Sequence, residues 1–119
     1  MTTTFATRYF VVRTSTGPEA RIEVRGELDL AAVATFRAAV RDLDVSCGEH
    51  VVLDLGRLSF IDAAGLHAVL DLHEECRAVC AALSISPGPR NVQRVFELAG
   101  VDRLVPLGRD ERRGNDGSQ

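Results

Sequence analysis

The sequence predicts an α/β fold: a single domain on a mostly parallel five-stranded sheet, with an antiparallel N-terminal edge and helices packed on the sheet. Three observations carry that expectation. Two β-rich runs near the start are separated by turn residues. Short apolar runs then alternate with segments whose apolar residues recur every three or four positions. A chain of 119 residues holds one hydrophobic core but not two. Strands alternating with helices are the pattern of parallel strands joined by right-handed crossovers. The expected order is β-β-α-β-α-β-α-β over residues 9–107, between a flexible N-terminus (1–8) and a disordered polar tail (108–119).

Each element has a local reason. "YFVVRT" (9–14) and "ARIEVRG" (20–26) are short β-rich runs, and "STGPE" between them supplies the turn of a hairpin. In "DLAAVATFRAAVRDL" (29–43) the period changes. Leu30, Val33, Phe36, Val40 and Leu43 predict one buried helical face, and Asp29 suits the N-cap. "HVVLDLG" (50–56) has a near-continuous apolar centre, which suits a strand covered on both faces. "LSFIDAAGLHAVL" (58–70) reads as a strand end running into a helix from about 63 to about 79, with Asp62 at the start, where four backbone N–H groups lack partners. Leu66, Val69, Leu70, His73 and Cys76 fall on one side of that helix; His67, Asp71, Glu74 and Glu75 fall on the other.

"AALSIS" (81–86) is the next buried strand. "PGPRNVQRVFELAG" (87–100) is a short helix carried by Val92, Val95, Phe96 and Ala99, with Gly100 placed to end it. "DRLVPL" (102–107) reads as a last edge strand, because Pro106 does not suit a central one. "GRDERRGNDGSQ" (108–119) is polar and glycine-bearing.

Composition narrows the function. The chain is 45% hydrophobic and 26% charged with a formal net charge of −3, ordinary for a globular protein. It shows no basic stripe or aromatic-plus-arginine cluster, so nucleic acid is not an expected partner. The first residues, "MTTTFATRYF", lack the cationic start and apolar centre of a secretion signal, and every apolar run is too short to span a membrane. Three cysteines (Cys47, Cys76 and Cys80) without a C-x-x-C fit reduced thiols and a cytoplasmic location.

His73, Cys76 and Cys80 have spacings that could hold zinc, but a fourth ligand is missing. Core packing is the preferred reading, since free cysteine is among the most buried residue types. Neither a metal nor another cofactor is expected. Asp29 with Asp62 has no nucleophile beside it, and no phosphate-binding G-x-x-x-x-G-K-[ST] loop exists, so no catalytic residue is assigned.

A weak internal echo links "ELDLAAV" (27–33) and "FIDAAGL" (60–66): each follows a strand, carries an Asp before two alanines, and opens a helix. Parallel strands put both turns at the carboxyl end of the sheet, where ligands and partners bind in open α/β folds. Asp29 and Asp62 are therefore expected on one surface. A helix start offers free N–H donors, and Gly65 in the first turn would let a partner approach the backbone closely.

With these residues in place, "GELDLAAVATFRAAV", "HVVLDLGRLSFIDAAGLHAVL" and "SPGPRNVQRVFELAGVDRLVPL" resemble the STAS domains of anti-sigma factor antagonists, over about residues 9–107. The resemblance implies a bacterial STAS-like switch domain. It would bind an anti-sigma factor that is also a serine kinase of the histidine-kinase-like ATPase fold, and so release a sigma factor. In that family the kinase phosphorylates a serine directly after the Asp of a D-S-[ST]-G-L turn, and the added charge expels the partner. Here that position is Ala63, and Ala64 follows, so neither side chain can accept a phosphoryl group.

Asp29, Asp62, Ala63, Ala64, Gly65, Leu66 and His67 are the expected partner-binding residues. Three readings follow: a constitutive antagonist, regulation by another event, or drift to a different partner. Ser59 is the nearest hydroxyl, expected to be partly buried, while Ser84 and Ser86 lie on or beside a core strand. An alternative within the same resemblance is an accessory STAS subunit of a transporter ATPase complex. The residues leave the oligomeric state open, a homodimer included.

Overall fold

The computed structural model describes residues 1–101. Its elements are β1 (Thr2–Ala6), β2 (Phe10–Ser15), β3 (Ala20–Leu28), α1 (Val33–Leu43), β4 (His50–Ile61), α2 (Ala63–Ala78), β5 (Ala82–Ser86) and α3 (Arg90–Leu98). From β2 to α3 this is the order the sequence predicts. The expected strand over 102–107 and the tail over 108–119 lie outside the described residues.

The five strands form one mixed sheet in the order β1-β2-β3-β4-β5. β1–β2 and β2–β3 pair antiparallel; β3–β4 and β4–β5 pair parallel. The antiparallel N-terminal part is thus one strand wider than the predicted hairpin. The flexible segment expected over 1–8 is corrected: Thr2 to Ala6 pair with Ser15 to Val11. Its physical basis is the β-branched run Thr2–Thr4, which leads into Phe5, a side chain packed against the core. Without β1, β2 would leave a row of unpaired backbone groups at the sheet edge.

The centre of β4 is shielded on both faces, since Val51, Val52 and Leu53 are all buried. α1 packs on β1–β3 and against α2, α2 packs on β4 and β5, and α3 packs on β4. Phe10, Ile22, Phe36, Leu53, Leu72 and Phe96 are fully buried at the junction of these layers, each worth about 1.5–3 kcal/mol relative to an exposed position. Among the described residues no helix is long and apolar enough to cross a membrane.

Two details of the fold shape the carboxyl end of the sheet. The β3–β4 ladder shifts register between Glu23 and Arg25 and again between Gly26 and Glu27. At the second shift Gly26 pairs with Leu58 and Glu27 with Phe60, so Ser59 is an extra residue on β4. A bulge of this kind re-aims the side chains that follow it. Here Ser59 and Phe60 both face solvent while Leu58 and Ile61 on either side are buried.

The second detail is the start of α1. The helix begins at Val33, later than predicted, and the N-cap position is Ala32 without a side-chain cap. Leu30, expected on the buried face, is 75% exposed. It lies in a turn ahead of the helix, where the helical spacing to Val33 does not apply.

Candidate functional site at the carboxyl end of the sheet

β3 and β4 run parallel and end side by side, with Leu28 paired to Ile61. The two turns that follow them are joined by one side chain. Asp62 Oδ1 accepts the Gly65 N–H (2.9 Å), which caps α2, and Asp62 Oδ2 accepts the Leu30 N–H of the other turn (3.2 Å). The Asp62 N–H donates to the Leu28 carbonyl (3.4 Å). Asp29 closes its own turn by accepting the Ala32 N–H at Oδ1 (3.1 Å). The turns that carry Asp29 and Asp62 therefore adjoin. Asp29 is not the predicted N-cap of α1, however; it acts one step earlier, because the backbone closes a tight turn (Ala32 N–H to Asp29 O, 2.9 Å) before the helix begins.

The expected contact residues divide into an exposed tip and a buried base. Ala63 and His67 are exposed, Ala64, Asp29 and Asp62 are half-buried, and Gly65 and Leu66 are buried. The expectation that Gly65 serves a partner's approach is corrected. A Cβ at residue 65 would collide with the Leu28 carbonyl oxygen and come within 2.9 Å of Ile61 Cγ1. Its missing side chain lets the first turn of α2 sit against the end of β3. Leu66, 5% exposed, belongs to the core beneath.

The sequence reading missed two side chains. Leu30 and Phe60, the latter 46% exposed, are the large apolar groups of these turns, placed on the residues that flank Asp29 and Ile61. Leu30 was masked by its helical spacing, and Phe60 by the strand alternation that the Ser59 bulge breaks. Ser59, expected partly buried, is exposed; its hydroxyl donates to the Gly26 carbonyl (2.9 Å) and its own carbonyl accepts from Asn91 Nδ2 (2.8 Å). That second bond ties the start of α3 to the same edge. Ser84 is half-buried and bonded to His50 Nε2 (2.9 Å).

The rim presents short or apolar side chains, the exposed His67, and aspartates whose oxygens bond to the chain's own N–H groups. Among the described residues no group of three His, Cys, Asp or Glu side chains is placed to hold a metal ion. Cys76, on α2, is buried, and Cys80, beyond its end, is exposed.

Comparison with known proteins agrees with this architecture. Residues 11–106 match the family model described as "Mlab, STAS domain". BtrV of Bordetella bronchiseptica, a protein named for anti-sigma factor antagonism, is 40% identical over 57 residues, 48% of this chain and 49% of its own length. The chain thus matches about half the length of that relative. An anti-sigma factor antagonist from Mycobacterium paratuberculosis superposes with a TM-score of 0.71 at 18% identity, covering 87% of this chain and 88% of that one. The anti-sigma factor antagonist SpoIIAA in its unphosphorylated form superposes with a TM-score of 0.67 at 24% identity, covering 91% and 99%. At these identities the two superpositions speak for the fold. Because the family model spans most of the sequence, the chain belongs to the STAS domain family.

Proposed function

We propose that this protein is an anti-sigma factor antagonist that docks the tip of α2 and the neighbouring turn onto an anti-sigma factor, freeing a sigma factor without catalysing a reaction. The partner is a serine-kinase type of the histidine-kinase-like ATPase fold. The observation that carries the reading is Ala63: an exposed side chain at the first position of α2, where the resemblance to anti-sigma factor antagonists implies a serine. Alanine leaves the docking shape intact and removes the oxygen that phosphorylation requires. The protein is therefore constitutively competent to bind, or is controlled by an input other than phosphorylation at that position. The name of BtrV and those of the two structural neighbours support the choice of partner.

Ala63→Asp tests the surface without threatening the fold, since an acid at a helix start is compatible with the macrodipole. Titration calorimetry against the cognate anti-sigma factor should show at least a tenfold weaker Kd for this variant, as expected for a charge forced into a contact. Unchanged affinity would argue against the proposed surface. Incubating the wild-type protein with that kinase and ATP should add no phosphate by mass spectrometry; stoichiometric phosphate at any residue would overturn the constitutive reading.

The matching family model is described as Mlab and not as a sigma regulator, and the resemblance to STAS domains also implies a second reading: an accessory subunit of a transporter ATPase complex. Titration against such an ATPase subunit separates the two. Binding there, with none to an anti-sigma factor, would replace the first reading.

A further inference from the structure

Opposite the rim, at the amino end of the parallel strands, two turns touch. One is Ser46–Glu49, closed by the Glu49 N–H donating to the Ser46 carbonyl (3.2 Å) and by Glu49 Oε1 accepting from the Ser46 N–H (2.8 Å). Gly48 has φ 81°, as the third position of a type II turn requires, and this puts Cys47 at the first corner. The other turn ends α2. There the Ala81 N–H donates to the Cys76 carbonyl (2.8 Å) and the Cys80 N–H to the Arg77 carbonyl (3.1 Å), while Cys80 itself has φ 60°. The left-handed position of such a helix ending is ordinarily glycine, sometimes asparagine. A cysteine held there is a disfavoured choice that packing alone does not explain, because its side chain is exposed.

The Gly48 N–H donates to the Cys80 carbonyl (3.2 Å), fastening one turn to the other. With standard backbone dimensions that bond keeps the Cα atoms of Cys47 and Cys80 within about 8 Å. A disulfide spans up to about 7 Å, and the exposed turn can supply the small remaining shift. Both thiols are free and exposed, whereas the third cysteine, Cys76, is buried in the core.

We propose that Cys47 and Cys80 are a redox-responsive pair, converted by hydrogen peroxide to a single intramolecular disulfide. In the first step the thiolate of one cysteine attacks the O–O bond. An S–O bond forms, the leaving hydroxide takes up a proton as water, and a sulfenic acid results. In the second step the other thiolate attacks that sulfur, the S–S bond forms, the S–O bond breaks and a second water leaves. The two sulfurs lose two electrons, the peroxide gains them, and both thiol protons end in water. The new bond would tie the entry of β4 to the exit of α2, closing the loop that contains β4 and α2.

The test treats the full-length protein with a small excess of hydrogen peroxide, alkylates the remaining thiols and maps peptides by mass spectrometry. The expected product is a monomer about 2 Da lighter, with Cys47 and Cys80 in one cross-linked peptide that dithiothreitol separates. Its Tm should rise by on the order of 10 °C. Cys47→Ser and Cys80→Ser should each abolish the cross-link and the rise; both positions are exposed, so both variants should fold. A link involving Cys76, intermolecular dimers alone, sulfinic acid at either position without a link, or three thiols left unreacted would each overturn the proposal. These readouts need no binding partner and stand apart from the fate of the docking assignment.

Discussion

The two strand-to-helix turns use the same bond and reach different structures. In each, the aspartate Oδ1 accepts the backbone N–H three residues on: Ala32 to Asp29 at 3.1 Å, Gly65 to Asp62 at 2.9 Å. After Asp29 the backbone closes on itself three residues on, and α1 waits until Val33. After Asp62 the Leu66 N–H returns to the Asp62 carbonyl (2.9 Å), and α2 is under way at once. The difference lies in what each turn meets across the sheet. Gly65 allows the start of α2 to press on the Leu28 carbonyl, and the second Asp62 oxygen holds the neighbouring turn by its Leu30 N–H. One turn is a helix cap and a clamp; the other is the thing clamped. Similar local chemistry does not fix similar structure when the tertiary partners differ.

The comparison can be broken most decisively at Gly65. Gly65→Ala forces a Cβ against the Leu28 carbonyl and should cost about 3 kcal/mol in urea unfolding; a cost near zero would mean that α2 does not depend on this close approach. Next come the aspartates. Asp62→Ala removes two bonds and should cost about 2 kcal/mol, while Asp29→Ala removes one and should cost about 1 kcal/mol. Equal losses would show that the clamp adds nothing to the cap.

Smaller again is the effect of Leu30→Ser and Phe60→Ser on stability, expected within about 0.5 kcal/mol because both side chains face solvent. Loss of partner affinity without loss of Tm would assign these side chains to the docking surface. The smallest effect concerns the far end of α2. Burial, and then the charges of Glu75 and Glu49, push the Cys76 thiol above its ordinary value. The folded state thus holds that proton more tightly than the unfolded chain does. Its contribution is complete below the unfolded thiol pKa of about 8.5 and is lost as pH rises past that value toward the folded one. Cys76→Ala should flatten the alkaline limb of the stability profile, measured by urea unfolding between neutral and alkaline pH.

Much of this was legible in the residues. The alternation of "HVVLDLG" with the helical spacing of "AAGLHAVL" marks β4 and α2, and Val92, Phe96 and Gly100 mark α3 and its end, where the Val101 N–H closes on the Phe96 carbonyl (3.2 Å). β1 was not legible, because "TTTF" is too short and polar to stand out until it has a β2 edge to pair with. Phe60 and Leu30 escaped for the same kind of reason: a bulge and a tight turn each insert a residue that a periodic reading assigns to the wrong face.

The sequence by itself determined that a strand ends at Asp62, that a helix begins there, and that the first position of that helix carries no side-chain oxygen. Those are local facts, set by which residue can cap a helix start and which cannot accept a phosphoryl group. Only the tertiary structure decided that Gly65 and Leu66 lie beneath the surface, that Leu30 and Phe60 lie on it, and that Asp62 fastens both turns. Each of those outcomes depends on atoms about 30 residues apart in the chain meeting across the β3–β4 ladder, and no local pattern encodes its own distance from the far strand.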